Sequence, residues 1–220
     1  MALALDHAFM MCSKGAPEGD SLIQRGFVEG SRNVHPGQGT ANRRFFFENF
    51  MLELLWVENR SEAQSEQTRR TRLWERWERR DCGISPFGIL FCAENDAAES
   101  APYPTWPYHP SYLAPGDAIQ IAEGTRLEEP ELFYMPNMRR DRPRRAEPTN
   151  HAVPVKHILG VTAGLTGLAK LSAASRAAQE AGLLRYRESS SPLLEIAFAS
   201  NSNDNIDFRP ALPLLFRGSA

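Results

Sequence analysis

The chain has 220 residues, 42% of them hydrophobic, and carries 25 Lys and Arg against 27 Asp and Glu, a formal charge of -2. That content can bury a core as one domain or as two fused halves, and the charge balance gives no general reason to expect nucleic acid or an anionic membrane as a partner. The longest apolar runs are far too short to span a bilayer, and Cys12, Cys82 and Cys92, without Cys-x-x-Cys spacing, argue against a disulfide framework or a thiolate zinc site.

Met1 to Leu5 is apolar but runs straight into Asp6-His7 without a basic leader, so it reads as an opening strand over residues 4–12 rather than a signal peptide. A soluble, cytoplasmic protein is the expectation. Asp20 to Arg25 reads as a short helix and Phe27-Val28-Glu29 as a second strand. The loop from His35 to Asn42 then leads into a hairpin of 43–47 and 51–57, turning about Glu48-Asn49, a pair that tolerates left-handed backbone. Its two glycines could let backbone amides approach a ligand, but a strand follows where a phosphate loop needs Lys-Ser/Thr and a helix.

Ser61 to Asp81 predicts one helix, with Leu73, Trp74 and Trp77 on a shared face and interleaved Arg and Glu giving a solvated, salt-laced surface. Residues 87–92 and 118–122 read as strands, separated by Pro102 to Pro110, whose prolines and aromatics read as an ordered loop or an aromatic lid carrying Trp106. Glu131 to Met135 is a further strand, and Met138 to Arg145 a basic loop. A second unit follows: strand 156–163, helix 165–181 ended by Gly182, and strands 183–187, 193–199 and 212–217, with a polar loop at 200–205.

Leu5-Asp6-His7-Ala8-Phe9, the run from His35 to Phe47, Leu52-Glu53-Leu54-Leu55-Trp56 and Ser85-Pro86-Phe87-Gly88 resemble the glyoxalase-like branch of the vicinal oxygen chelate superfamily. Leu193-Leu194-Glu195-Ile196 and Asp207 to Leu214 continue the likeness. It implies an α+β fold of paired βαβββ modules forming a curved, cupped mixed sheet, with inserted strands and loops between modules. The expected division is a first module over 1–60, a helix with inserted strands and loops over 61–150, and a second module over 151–220. One scaffold of this kind hosts lyases, isomerases, dioxygenases and metal-free binding proteins, so the fold does not choose the reaction.

The resemblance also implies a site. His7 and Glu53 match the positions that supply two metal ligands in metal-dependent relatives, and His157 and Glu195 are the second pair, with Glu53 and Glu195 as the catalytic carboxylates. Imidazole and carboxylate suit one divalent ion, Zn, Ni, Mn, Co or Fe(II). Gln38, Asn42, Arg44 and Trp106 are expected to hold a small oxygenated organic molecule. Strand alternation puts His7 on one face with Leu5 and Phe9, and Glu53 with Met51 and Leu55. Other roles stay open: His7 as a hydrogen-bonded core histidine, Glu53 as the ion-pair partner of Arg43 or Arg44, Glu195 facing solvent. A metal-free binding protein or acid-base enzyme using the same cavity is the alternative function, as a monomer or a homodimer.

Overall fold

The computed structural model describes residues 3–94, 100–139, 146–201 and 204–219. Part of the basic loop expected at 138–145, and the centre of the polar loop at 200–205, lie outside the described residues. The first module is β1 (Leu3–Met11), α1 (Gly19–Gln24), β2 (Asn33–His35), β3 (Thr40–Phe46) and β4 (Met51–Val57). Its strands lie in the order β2-β3-β4-β1, with β1 parallel to β4 and the other pairs antiparallel.

After α2 (Arg60–Ala63) and α3 (Leu73–Glu78), the same plan returns. β5 (Phe87–Ala93), β6 (Thr105–Tyr108), β7 (Ile119–Ala122) and β8 (Glu131–Arg139) lie in the order β5-β8-β7-β6, with β5 parallel to β8. Antiparallel pairing of β1 with β5 joins the two sets into one eight-stranded sheet. This is the paired-module, cupped mixed sheet that the resemblance implied. The stretch expected to hold a helix with inserted strands and loops thus supplies four strands of the large sheet.

The remaining strands are β9 (Ile158–Leu165), β10 (Arg185–Glu188), β11 (Leu193–Ala199), β12 (Asn205–Asp207) and β13 (Leu214–Ser219), with α4 (Ala173–Glu180) between β9 and β10. They form a second sheet in the order β10-β9-β11-β13-β12. Its pairing is a trimmed version of the first: β9 parallel to β10, β11 parallel to β13, and β9 antiparallel to β11 at the junction.

One face of each sheet is buried in a shared core. Ala8 and Met10 of β1, Leu52 and Leu54 of β4 and Ile89 and Phe91 of β5 belong to the same apolar cluster as Val161, Leu194, Ile196, Phe198 and Phe216 of the second sheet. Leu22 of α1 and Ala174 and Ala178 of α4 complete it. β4, Met51 to Val57, is buried along its whole length, which accounts for its nearly unbroken apolar run. On the opposite face of the large sheet a second cluster gathers Phe9, Met11, Leu55, Leu90 and Phe133.

Two local departures from the sequence reading have clear causes. No strand forms at 27–29; the strand that pairs with β3 is three residues long and begins at Asn33. The expected helix over 61–81 is broken, because Arg72 takes a left-handed backbone (φ 57°) immediately before α3. The arginines explain the break. Arg76 is fully buried and donates to the carbonyls of Ser85, Leu127 and Glu129, and both Arg72 and Arg76 pair with buried Glu131. This part of the helix face is an interior ion network rather than a solvated one. Glu129, beside it, accepts from the backbone N–H and hydroxyl of Ser172 and from the Ser175 hydroxyl, capping α4 and tying the two sheets together.

Candidate functional site

β1 carries an extra residue. Leu5 pairs with Phe91 and His7 with Leu90, so two steps along β1 match one along β5 and Asp6 is the bulge. The bulge reverses the side-chain alternation. Leu3 and Leu5 pack on the shared core before it, and Ala8 and Met10 do so after it, while His7 and Phe9 face the other way. His7 therefore shares a face with Phe9 but not with Leu5. The bulge also sets neighbouring side chains together: Asp6 Oδ2 lies 2.7 Å from His7 Nδ1, and both residues are buried. A buried carboxylate on Nδ1 fixes the ring's orientation and tautomer.

His7 opens onto a cavity of about 350 Å³ on the opposite face of the large sheet from the shared core. Met51, Glu53 and Leu55 of β4 line it together, as strand alternation expects. β3 alternates too: Ala41 and Phe45 join the shared core, and Arg44 reaches the cavity. β5 to β8 supply Leu90, Tyr108, Ile119, Phe133, Met135 and Met138. Tyr112 and Leu113, from the loop between β6 and β7, complete the wall. The cavity thus has an apolar side of aromatic rings and thioethers and a polar end on the first module, a common arrangement for small-molecule sites.

Glu53 is 8% exposed and accepts a 2.8 Å hydrogen bond at Oε1 from Asn42 Nδ2. Asn42 Oδ1 in turn accepts from the backbone N–H of Asn33, so the β2–β3 ladder holds the amide and the amide holds the acid. Among the described residues Glu53 has no cation within 4 Å, so the ion pair with Arg43 or Arg44 is not formed. Arg43 points to the other face and pairs with Asp20 and Glu29. Arg44 donates to the backbone carbonyl and hydroxyl of Ser31 and lies 3.9 Å from Glu147.

The sequence reading did not single out two members of the site. His35 stacks on Tyr112, 4.9 Å between ring centres, and its Nδ1 lies 2.9 Å from the Thr40 hydroxyl. Gln38 donates to that hydroxyl and accepts from Tyr112, which locks loop 35–40 to the β6–β7 loop. Burial holds the His35 imidazole below its ordinary value against the pull of Glu53, and burial pushes the Tyr112 hydroxyl up. Both are held in their neutral forms. His35 and Thr40 flank a tight loop in the sequence; no comparable signal marks Tyr112, which reaches the site from far along the chain.

The expected second half of the site is not there. His157 is half-exposed at the β3–β4 turn, 3.6 Å from Glu48, and lines a separate cleft with Asn49 and Leu159. Glu195 is on β11, at the junction of the second sheet, and is buried between Arg187 and Arg217. The reason is topological: β11 lies between β9 and β13 in the second sheet, whereas His7 and Glu53 are on β1 and β4 of the large one. The four-ligand set His7, Glu53, His157 and Glu195 does not assemble, and among the described residues no group of three or more His, Cys, Asp or Glu is placed to hold a metal ion. Trp106 lines a different cleft, under the Arg70 guanidinium. Cys12 and Cys92 are buried, and Cys82 is exposed. Burial pushes the Cys12 thiol well up, which suits a core residue and not a nucleophile.

No family model matches the chain, and no curated protein matches it in sequence. Among solved structures it is similar to a hypothetical protein from Staphylococcus aureus, at 12% identity and a TM-score of 0.50, over 100% of this chain and 99% of that one. It is more loosely similar to a xylose isomerase-like TIM barrel/4-hydroxyphenylpyruvate dioxygenase fusion protein (10% identity, 90% of this chain and 36% of that one, TM-score 0.47). A triple mutant of 4-hydroxymandelate synthase from Streptomyces coelicolor is similar at 13% identity over 98% of this chain and 62% of that one, TM-score 0.42. The first likeness supports the fold; the other two bear on neither fold nor chemistry. No helix among the described residues is long and apolar enough to cross a membrane.

Proposed function

We propose that this chain binds a small oxygenated organic molecule in the cavity of its large sheet and performs acid-base chemistry on it. The observation that carries the reading is the convergence of Glu53 and His7, from adjacent parallel strands, on one largely apolar cavity. Glu53 is the base: it is buried, fixed through Oε1 by Asn42, and has no cation beside it among the described residues. His7, oriented by Asp6, is the partner that holds or returns a proton. The metal-dependent lyase, isomerase or dioxygenase reading rests on a ligand set that His7, Glu53, His157 and Glu195 do not form.

Exchange of carbon-bound hydrogen for deuterium, followed by NMR over a panel of small ketones and 2-oxo acids in the presence of chelator, tests this directly. The wild-type chain should accelerate exchange in at least one compound, and Glu53→Gln should slow it by about 10²–10⁴-fold, the usual contribution of a positioned base. Exchange no faster than in buffer, or unaffected by Glu53→Gln, rejects the reading. Activity lost in chelator and restored by one of Zn, Ni, Mn, Co or Fe(II) replaces it with the metal-dependent one.

A further inference from the structure

Arg44 and Glu53 are direct partners in the register of β3 and β4. Opposite charges in that relation ordinarily meet across the strands. Here they do not, because each is held by something else. Arg44 spends Nε and Nη2 on Ser31 and Glu147, and Glu53 spends Oε1 on Asn42. Among the described residues, Arg44 Nη1 and Glu53 Oε2 have no hydrogen-bond partner, and both side chains line the same cavity.

A guanidinium and a carboxylate held apart beside an apolar cavity match a molecule with both charges on neighbouring atoms and an apolar remainder. A purely anionic ligand would face Glu53, and a purely cationic one would face Arg44, each at the cost of a like charge nearby. We propose that the ligand of this cavity is an α-amino acid with an apolar side chain, its ammonium on Glu53 and its carboxylate on Arg44. The side chain lies against Phe9, Phe133 and the thioethers of Met51, Met135 and Met138. A cavity of about 350 Å³ takes one side chain of leucine to phenylalanine size rather than a peptide. Three flexible methionines let the wall adapt to aliphatic and aromatic side chains alike. The inference rests on the reading of this cavity as the functional site, and names what fills it.

Calorimetric titration with L-phenylalanine, 3-phenylpropionate and 2-phenylethylamine separates the two charges on the folded wild-type chain without any substitution. L-Phenylalanine should bind at least about tenfold tighter than either single-headed analogue, since each analogue forfeits one charge-assisted contact. Glu53→Gln should remove the advantage over 3-phenylpropionate, and Arg44→Gln the advantage over 2-phenylethylamine. A single-headed analogue binding as tightly as L-phenylalanine overturns the proposal, as does failure of both L-phenylalanine and L-leucine to bind. If the amino acids fail while hydrogen exchange in carbonyl compounds still depends on Glu53, only the ligand assignment falls. If they bind with both charges required and no exchange is seen, the acid-base chemistry falls and the ligand assignment stands.

Discussion

His151 shows how much one side chain can specify. Its Nδ1 accepts the Val28 backbone N–H at 3.0 Å, and its Nε2–H donates to the Phe46 carbonyl at 3.0 Å, with Phe27 and Phe47 against the ring. Only the neutral imidazole satisfies both bonds. Burial holds its pKa below the ordinary 6.5, opposed by the Phe46 carbonyl, and His35 is shifted the same way. The folded value lies below the unfolded one, so the unfolded chain takes up the proton first as pH falls. The stability contributed is complete above about pH 6.5 and is lost as pH drops through that value towards the depressed one. Melting temperature should therefore decline between pH 7 and pH 5. His151→Asn should lower it at pH 7 and flatten part of the decline; an unchanged slope in thermal melts would contradict this account.

His7 and Glu53 were legible in the sequence because a titratable residue in an apolar strand is conspicuous and must have a reason to be there. The second pair looked the same by that criterion, yet Glu195 is conspicuous because two arginines neutralise it. Burial of a charge is readable from sequence. Its partner, set by which strand lies alongside, is not.

At the level of elements, Gly88 decides the shape of the cavity wall. It pairs with Phe9 across β1 and β5, and a Cβ at this position would fall inside contact distance of the Phe9 and Phe133 rings. Gly88→Ala should therefore push Phe9 into the cavity and weaken binding of an apolar ligand by about tenfold or more, with overpacking costing about 1–3 kcal/mol of stability. Denaturant melts and the titrations above measure both effects. A variant with unchanged affinity and stability would show that the wall yields freely. Ser85-Pro86-Phe87-Gly88 was visible as part of the resemblance, but the Pro-rich stretch after it obscured the rest of the module. β7 was visible as the strand at 118–122, but β6 is four residues long and contains Pro107, too short and too interrupted for alternation to declare it.

Over the whole molecule, the shared core predicts cooperative behaviour. All four tryptophans, Trp56, Trp74, Trp77 and Trp106, belong to the first part of the chain. Phe198 belongs to the second sheet and is fully buried in the cluster common to both. Phe198→Ala should cost about 3–5 kcal/mol, and it should move the unfolding transition seen by tryptophan fluorescence together with that seen by far-ultraviolet circular dichroism. A fluorescence transition that stays in place would mean that the large sheet unfolds independently. The order of elements in the second unit was readable, strand, helix and then strands. Their pairing was not, because β10 docks beside β9 through contacts that no local pattern records.

The extra residue at Asp6 has a consequence for how this chain tolerates change. Loss of Asp6 would close the extra step and let β1 pair with β5 without a break, leaving Leu5 on the core face and His7 on the cavity face. What would go is the carboxylate beside Nδ1, so the imidazole would keep its side of the sheet and lose the group that fixes its tautomer. The extra position thus serves the orientation of the histidine, not the face it occupies.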